Sequence, residues 1–279
     1  MQQSSVRSGK AEGVPYSLSR WTDLPAAKWP WFEQQLEQRW MVAFDPRTAF
    51  PSKWSLAVED VLGLVFWTRR PQNLIANAEL LKPYPLVIHM TATGWHEVEK
   101  GAPGIDESIG TMWRLIEAFG ADRIEWRFSP VPIVQDTVTR FEVLAANFAK
   151  MGLRRVYVAF LQDNDLMVDS RDEAARRDIL RAMAKRSHGL DLRLCHEDTT
   201  LSDPGLHLPL NLRYGVCEDG KRFPRDVPDG AVEDCGCALS IDPFTINESC
   251  TMGCRYCYAA DQSLAPQKRN TTRKLLVTR

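Results

Sequence analysis

Short apolar runs rich in strand-forming residues alternate with segments of helical period along most of this chain. Strands are predicted at Val14 to Ser19, Met41 to Phe44, Leu62 to Trp67, Leu86 to Met90, Ile124 to Phe128, Val156 to Leu161, Leu192 to Cys195 and Ala238 to Ile241. Ile109, Met112, Trp113, Ile116 and Phe119 fall on one helical face and stop at Gly120; Phe141, Leu144, Ala145 and Phe148 do the same before Gly152. Each glycine stands where a left-handed helix cap is wanted. A third helix opens on Ser170 with Glu173 three residues on, a capping box, and carries Ala175, Ile179 and Met183 on one face. Eight strands alternating with helices predict an α/β fold, specifically a single, eight-stranded (β/α) TIM-like barrel, a fold of about 250 residues. The pattern is thinnest in the second βα unit and from Glu197 to Gly236, which holds Pro and Gly but little periodicity. In this division residues 1–13 are a disordered tail, 14–261 the barrel with a cysteine-bearing segment at 195–257, and 262–279 a basic tail.

A barrel places its chemistry at the C-terminal ends of its strands. Polar residues recur just past the apolar runs: Ser19 and Arg20, Asp45 and Arg47, Thr68 and Arg69, His89 and Thr91, Arg127, Gln162 and Asp163, His196 and Glu197, and Asp242. Any one of these is ordinary turn or cap chemistry; their recurrence marks a rim.

Composition narrows the function classes. Of 279 residues, 44% are hydrophobic and 25% charged, which is globular material able to bury a core. Lys plus Arg number 35 against 36 for Asp plus Glu, so whole-molecule charge favours neither nucleic acid nor an acidic membrane. Lys268, Arg269, Arg273, Lys274 and Arg279 read as a solvated end, and nucleic acid is not expected as a partner. No apolar run approaches bilayer length and the first residues lack a secretory pattern, so the expectation is a cytoplasmic protein with reduced thiols. No G-x-G-x-x-G or P-loop is present.

The strongest chemical signal is Cys250-Thr-Met-Gly-Cys254-Arg-Tyr-Cys257, a C-x3-C-x2-C run with Tyr256 before the third cysteine. Three thiolates at this spacing can hold three corners of a four-iron four-sulfur cube and leave one iron open; with a fourth ligand from elsewhere they can instead hold a structural zinc. The remaining four of seven cysteines, Cys195, Cys217, Cys235 and Cys237, are the number that saturates a second cluster or a tetrahedral zinc. Core packing is the alternative for some of them.

The C-x3-C-x2-C run and its aromatic resemble the signature of the radical SAM superfamily. The whole length, through Ser17-Leu-Ser-Arg-Trp-Thr-Asp-Leu-Pro, Val65-Phe-Trp-Thr, Trp126-Arg-Phe-Ser-Pro, Cys235-Gly-Cys237, Ser240-Ile-Asp242 and Cys250 to Tyr258-Ala, resembles an uncharacterised bacterial family whose radical-SAM-like cysteine cluster lies near the C-terminus. The resemblance implies that S-adenosylmethionine chelates the open iron and is cleaved reductively to a 5′-deoxyadenosyl radical, with Tyr256 near the adenine. It also implies an electron donor such as flavodoxin or ferredoxin and a small-molecule or nucleotide-like substrate. Here the cysteine loop follows the last predicted strand rather than the first, a circular permutation that leaves a closed barrel's site unchanged. On this order Ser19, Arg20, Thr68, His89 and Arg127 line the rim as candidate S-adenosylmethionine contacts, Arg20 and Arg127 offering a guanidinium fork to the methionine carboxylate. The other class open to these residues is a non-catalytic iron-sulfur redox sensor or a zinc-stabilised barrel.

Overall fold

The structure, a computed structural model, describes residues 8–9, 14–44, 50–160, 172–195, 212–215, 238–245, 250–257 and 259. In chain order its elements are β1 (Ser8–Gly9), β2 (Tyr16–Leu18), α1 (Leu24–Ala27), α2 (Trp29–Glu37), β3 (Trp40–Phe44), β4 (Pro51–Ser55), β5 (Leu64–Thr68), α3 (Gln72–Ala76), α4 (Ala78–Leu81) and β6 (Leu86–Thr91). There follow α5 (Ile105–Phe119), β7 (Ile124–Val131), α6 (Thr137–Lys150), β8 (Arg155–Phe160), α7 (Glu173–Lys185), β9 (Asp191–Cys195) and β10 (Leu212–Gly215).

Seven strands make one parallel sheet in the order β10-β9-β8-β7-β6-β5-β2. The order never reverses. Right-handed crossovers that all step the same way put every connecting helix on the same side, so the two faces of the sheet meet different surroundings. The helix side is apolar throughout: Leu64 and Phe66, Leu86, Ile88 and Met90, Ile124, Trp126 and Phe128, Val156 and Val158, Leu192 and Leu194 all belong to the main core. Met112, Leu115, Phe141, Leu144, Phe148, Leu180 and Met183 enter the same core from α5, α6 and α7. Trp126 is fully buried in it, stacked on Phe141 at 5.3 Å and edge-on to Phe148 at 4.9 Å.

Alternate residues face the other way, and that face is polar: Trp67, His89, Glu125, Arg127, Arg155, Tyr157, Asp191, Arg193 and Cys195. His89, Glu125 and Tyr157 are nonetheless buried. At the N-terminal end of this face Leu62, Val65, Val87 and Ala238 form a second small apolar cluster.

The strand assignments need three corrections. Met41 to Phe44 is a strand, but it pairs antiparallel with β4 in a separate sheet ordered β1-β4-β3. Its side chains alternate between core and surface, with Val42 40% exposed, as an antiparallel strand wet on one face requires. Ala238 to Ile241 contributes only a parallel bridge of Ile241 to Tyr16, with Ser17 N–H donating to the Ile241 carbonyl at 2.8 Å and Ile241 N–H to the Pro15 carbonyl at 2.9 Å. The stretch without periodicity holds β10, which continues the sheet beyond β9. Among the described residues no ladder joins β10 to Ile241 and no closed sheet is found; the fold is α/β with a seven-stranded parallel sheet.

Helix ends follow local chemistry. Gly120 and Gly152 adopt φ of +82° and +93° past α5 and α6, as their positions predict. The α7 cap is Asp172, whose carboxylate accepts the Ala174 and Ala175 amides, in place of Ser170. Ser170 itself lies outside the described residues. Ser8–Gly9, within the segment expected as a tail, pairs in parallel with β4. No helix among the described residues is long and apolar enough to cross a membrane.

Candidate functional site

The cysteine loop lies over the C-terminal ends of the sheet because the segment after β6 receives it edge to edge. Gly101 N–H donates to the Met252 carbonyl at 2.8 Å, Arg255 N–H to the Val98 carbonyl at 3.0 Å, and Glu99 and Cys254 form an antiparallel bridge. The approach is too close for any other residue at 101: a Cβ there would stand 2.1 Å from the Thr251 carbonyl oxygen. Gly253, at φ +60°, turns the chain between the first two cysteines, and Cys257 N–H closes the second turn onto the Cys254 carbonyl at 3.1 Å. Cys250, Cys254 and Cys257 are all half-buried.

Each sulfur sits in a defined field. Burial pushes the Cys250 thiol up, while the backbone amides of Met252 and Asp23 donate to its sulfur and pull the other way. Burial also pushes the Cys254 thiol up to about 11, with Arg69 opposing it and Glu99 and Cys257 adding to it. Cys257 lies close enough to act on both other cysteines and raises both thiols.

Beneath the loop is a buried ionic knot. The Glu99 side chain is 0% exposed; its carboxylate accepts the Thr93 hydroxyl at 2.6 Å, Arg69 Nη1 at 2.9 Å and the Tyr256 hydroxyl. Arg69 extends its other prong to the Tyr256 oxygen at 2.8 Å and the Ser129 carbonyl at 3.4 Å. A carboxylate withdrawn so far from water persists only with such compensation, and removing one partner of a buried pair costs about 3–5 kcal/mol. Asp23 ties the neighbouring strand ends together, accepting the Thr68 hydroxyl at 2.7 Å and the Arg69 amide at 2.8 Å while capping α1.

The rim residues fall into two groups. Ser19 donates to Asp242 at 2.5 Å and the Arg20 amide to the same carboxylate at 2.9 Å, with Phe244 N–H at 2.9 Å. Burial raises the Asp242 carboxyl to about 6 despite these donors. The exposed Arg20 side chain reaches back to Ser17 at 3.4 Å and to Ser240. On the polar face, Trp67 stacks on His89 at 4.3 Å, His89 meets Tyr157 edge-on at 5.6 Å, and the Arg127 guanidinium lies 5.1 Å from the Trp67 ring centre.

The sequence-derived residues thus converge unevenly. Cys250, Cys254, Cys257 and Tyr256 meet the strand ends; Ser19 and Arg20 gather around Asp242; Thr68 is engaged with Asp23; His89 and Arg127 line the polar face; Cys195 is half-buried at the end of β9. Cys217, Cys235 and Cys237, with Asp45, Arg47, Gln162, Asp163, His196 and Glu197, lie outside the described residues. Among the described residues no three His, Cys, Asp or Glu groups converge as ligands of one metal ion. Sequence reasoning passed over Asp23, Thr93 and Glu99. Asp23 carried a signal, a capping residue with Pro25 at the helix start; Glu99, inside His96-Glu-Val-Glu-Lys, carried none.

No curated protein and no solved structure matches this chain. A family model does match it, from residue 16 to residue 259, and spans both the parallel sheet and the cysteine loop. The chain therefore belongs to the family described as a domain of unknown function, DUF1848.

Proposed function

We propose that this protein is a radical SAM-type enzyme that holds a four-iron four-sulfur cluster through Cys250, Cys254 and Cys257. The observation that carries this reading is the seating of a sulfur-only, three-cysteine loop on the C-terminal ends of a parallel sheet, where α/β folds assemble their chemistry. The donor set fits such a group: one loop carries three half-buried thiols, amides of Asp23 and Met252 donate to the Cys250 sulfur, and the motif brings no carboxylate or imidazole.

When bound, the cluster would supply the electron that breaks the sulfonium bond of S-adenosylmethionine and releases a 5′-deoxyadenosyl radical. The chain's own residues hold and shield. Arg127, on the face below the loop, and Arg20, at the rim, are the guanidinium groups able to bind the methionine carboxylate by two parallel hydrogen bonds. Ser19, Thr68, His89 and Tyr256 complete the rim. The one-way strand order, the burial of His89, Glu125 and Tyr157 on the polar face and the Ile241 bridge beside β2 support a sheet that curls into the eight-stranded barrel, its N-terminal end plugged by Leu62, Val65, Val87 and Ala238. That plug would keep water from a reactive intermediate. Cys195 with Cys217, Cys235 and Cys237 is assigned to a second cluster or a zinc. A small electron-transfer protein such as flavodoxin or ferredoxin and a small-molecule substrate complete the scheme, which belongs in the reducing cytoplasm.

Protein purified without oxygen should carry iron and acid-labile sulfide with a broad sulfur-to-iron absorption, and should bind S-adenosylmethionine. Cys254→Ala should lose about four irons per chain, the content of one cluster. Zinc alone, with no iron uptake on reconstitution, contradicts the proposal.

A further inference from the structure

Arg69 is a strand-end arginine whose surroundings are unusual for a cation, since its side chain is only 11% exposed and lies under the cysteine loop. It is held from four sides: Glu99 at 2.9 Å, Thr93 at 3.3 Å, Tyr256 at 2.8 Å and the Ser129 carbonyl at 3.4 Å. Two of these partners belong to the loop's own seat, because Tyr256 lies between the second and third cysteines and Glu99 bridges Cys254 backbone to backbone. The guanidinium and the Glu99 carboxylate both act on Cys254, with opposite sign. A fixed positive and a fixed negative charge therefore stand beside one ligand sulfur, in a place where water screens neither of them well.

We infer that Arg69 and Glu99 are a positioning and charge-setting pair for the cysteine-held group, Arg69 favouring its more negative, reduced form and Glu99 opposing it. The inference rests on the proposed function, since it concerns the group that Cys254 would hold. Burial of both charges is what makes them effective, because hydrogen bonds, net charge and solvent exposure around the sulfurs are what move an iron-sulfur potential. The pairing also explains why neither is left alone: each makes the other's burial tolerable, and Tyr256 and Thr93 fix the geometry with neutral hydrogen bonds. The reduction at issue is simple addition of one electron, supplied in the test by dithionite, with no bond made or broken in the protein.

The test is a redox titration, followed by electron paramagnetic resonance, of protein reconstituted with iron and sulfide: wild type, Arg69→Gln, Glu99→Gln and the double variant. Arg69→Gln should lower the reduced fraction at a fixed potential about tenfold, equivalent to about 59 mV for a one-electron couple. Glu99→Gln should raise it by a similar factor. The double variant, which leaves no buried charge uncompensated and so protects against loss of the fold, should return to within about threefold of wild type, because removing both charges leaves the net charge beside the sulfur unchanged. A merely structural knot would move both single variants the same way. Shifts of the same sign, or single variants indistinguishable from wild type while fully loaded, overturn the inference alone. A wild-type protein that takes up no iron and sulfide overturns the proposed function and this inference with it.

Discussion

The seating of the cysteine loop depends on one missing side chain. In Gly101→Ala the new Cβ would lie 2.1 Å from the Thr251 oxygen and 2.8 Å from the Met252 Cα, whereas ordinary contact begins at 3.4 Å. Both neighbours are backbone, so nothing flexible can turn aside, and the loop has to retreat by roughly 1 Å or more. A retreat of that size stretches the Gly101 amide bond to Met252, now 2.8 Å, beyond hydrogen-bond range and loosens the Arg255 bond to Val98 at 3.0 Å. At about 1 kcal/mol net for each backbone bond the loss is about 2 kcal/mol, or roughly a 30-fold weaker docking of the loop. Amide hydrogen exchange reads this directly: the Arg255 amide should exchange roughly 30-fold faster in Gly101→Ala, because local opening sets its protection. Iron retained after reconstitution should fall with it. Gly110→Ala is the matched control, lying in the interior of α5 with nothing within 4 Å of the place its methyl would take, and it should stabilise the protein by about 0.5–1 kcal/mol. Unchanged exchange at Arg255 in Gly101→Ala would refute the edge-to-edge seating.

Two further outcomes test the frame around the site. Trp126→Ala removes a fully buried ring stacked on Phe141 and edge-on to Phe148 and should cost about 3–5 kcal/mol, read as a fall in the urea midpoint at constant slope; a loss under about 1 kcal/mol would mean the core is not built around it. Asp242 is raised from 3.8 to about 6 by burial, so the folded state binds its proton more tightly than the unfolded state does. Its contribution to stability is therefore fully present below about pH 4 and is lost as pH rises to about 6. Subtracting the stability curve of Asp242→Asn from that of wild type should isolate this decline between about pH 4 and 6, and parallel curves would place the carboxyl in water.

The parts of the fold legible in the sequence were those where the chain states its burial locally. Parallel strands covered on both faces read as near-continuous apolar runs, as Leu64–Thr68 and Leu86–Thr91 largely do, while Ile124–Val131 opens as an apolar-polar alternation whose polar set faces away from the helices. Trp40–Phe44 looks similar but is partnered by Pro51–Ser55, and only that long-range pairing removes it from the parallel sheet. Leu212–Gly215 is too short to announce itself; it is a strand because Asp191–Cys195 offers it an edge. The site divides along the same line. Cys250, Cys254 and Cys257 are legible because their ligand spacing is carried by one segment. The Arg69–Glu99–Tyr256 knot joins three segments, and a carboxylate such as Glu99 becomes significant only when packing withdraws it from water.

The central claim is that the three-cysteine loop serves reductive cleavage of S-adenosylmethionine, and product analysis tests it most directly. Protein reconstituted without oxygen and given dithionite and S-adenosylmethionine should form 5′-deoxyadenosine and methionine in equal amounts, and Cys254→Ala should form neither while keeping any metal held elsewhere in the chain. A fully iron-loaded wild-type protein that forms no 5′-deoxyadenosine, or a native protein that holds only zinc, would contradict the account.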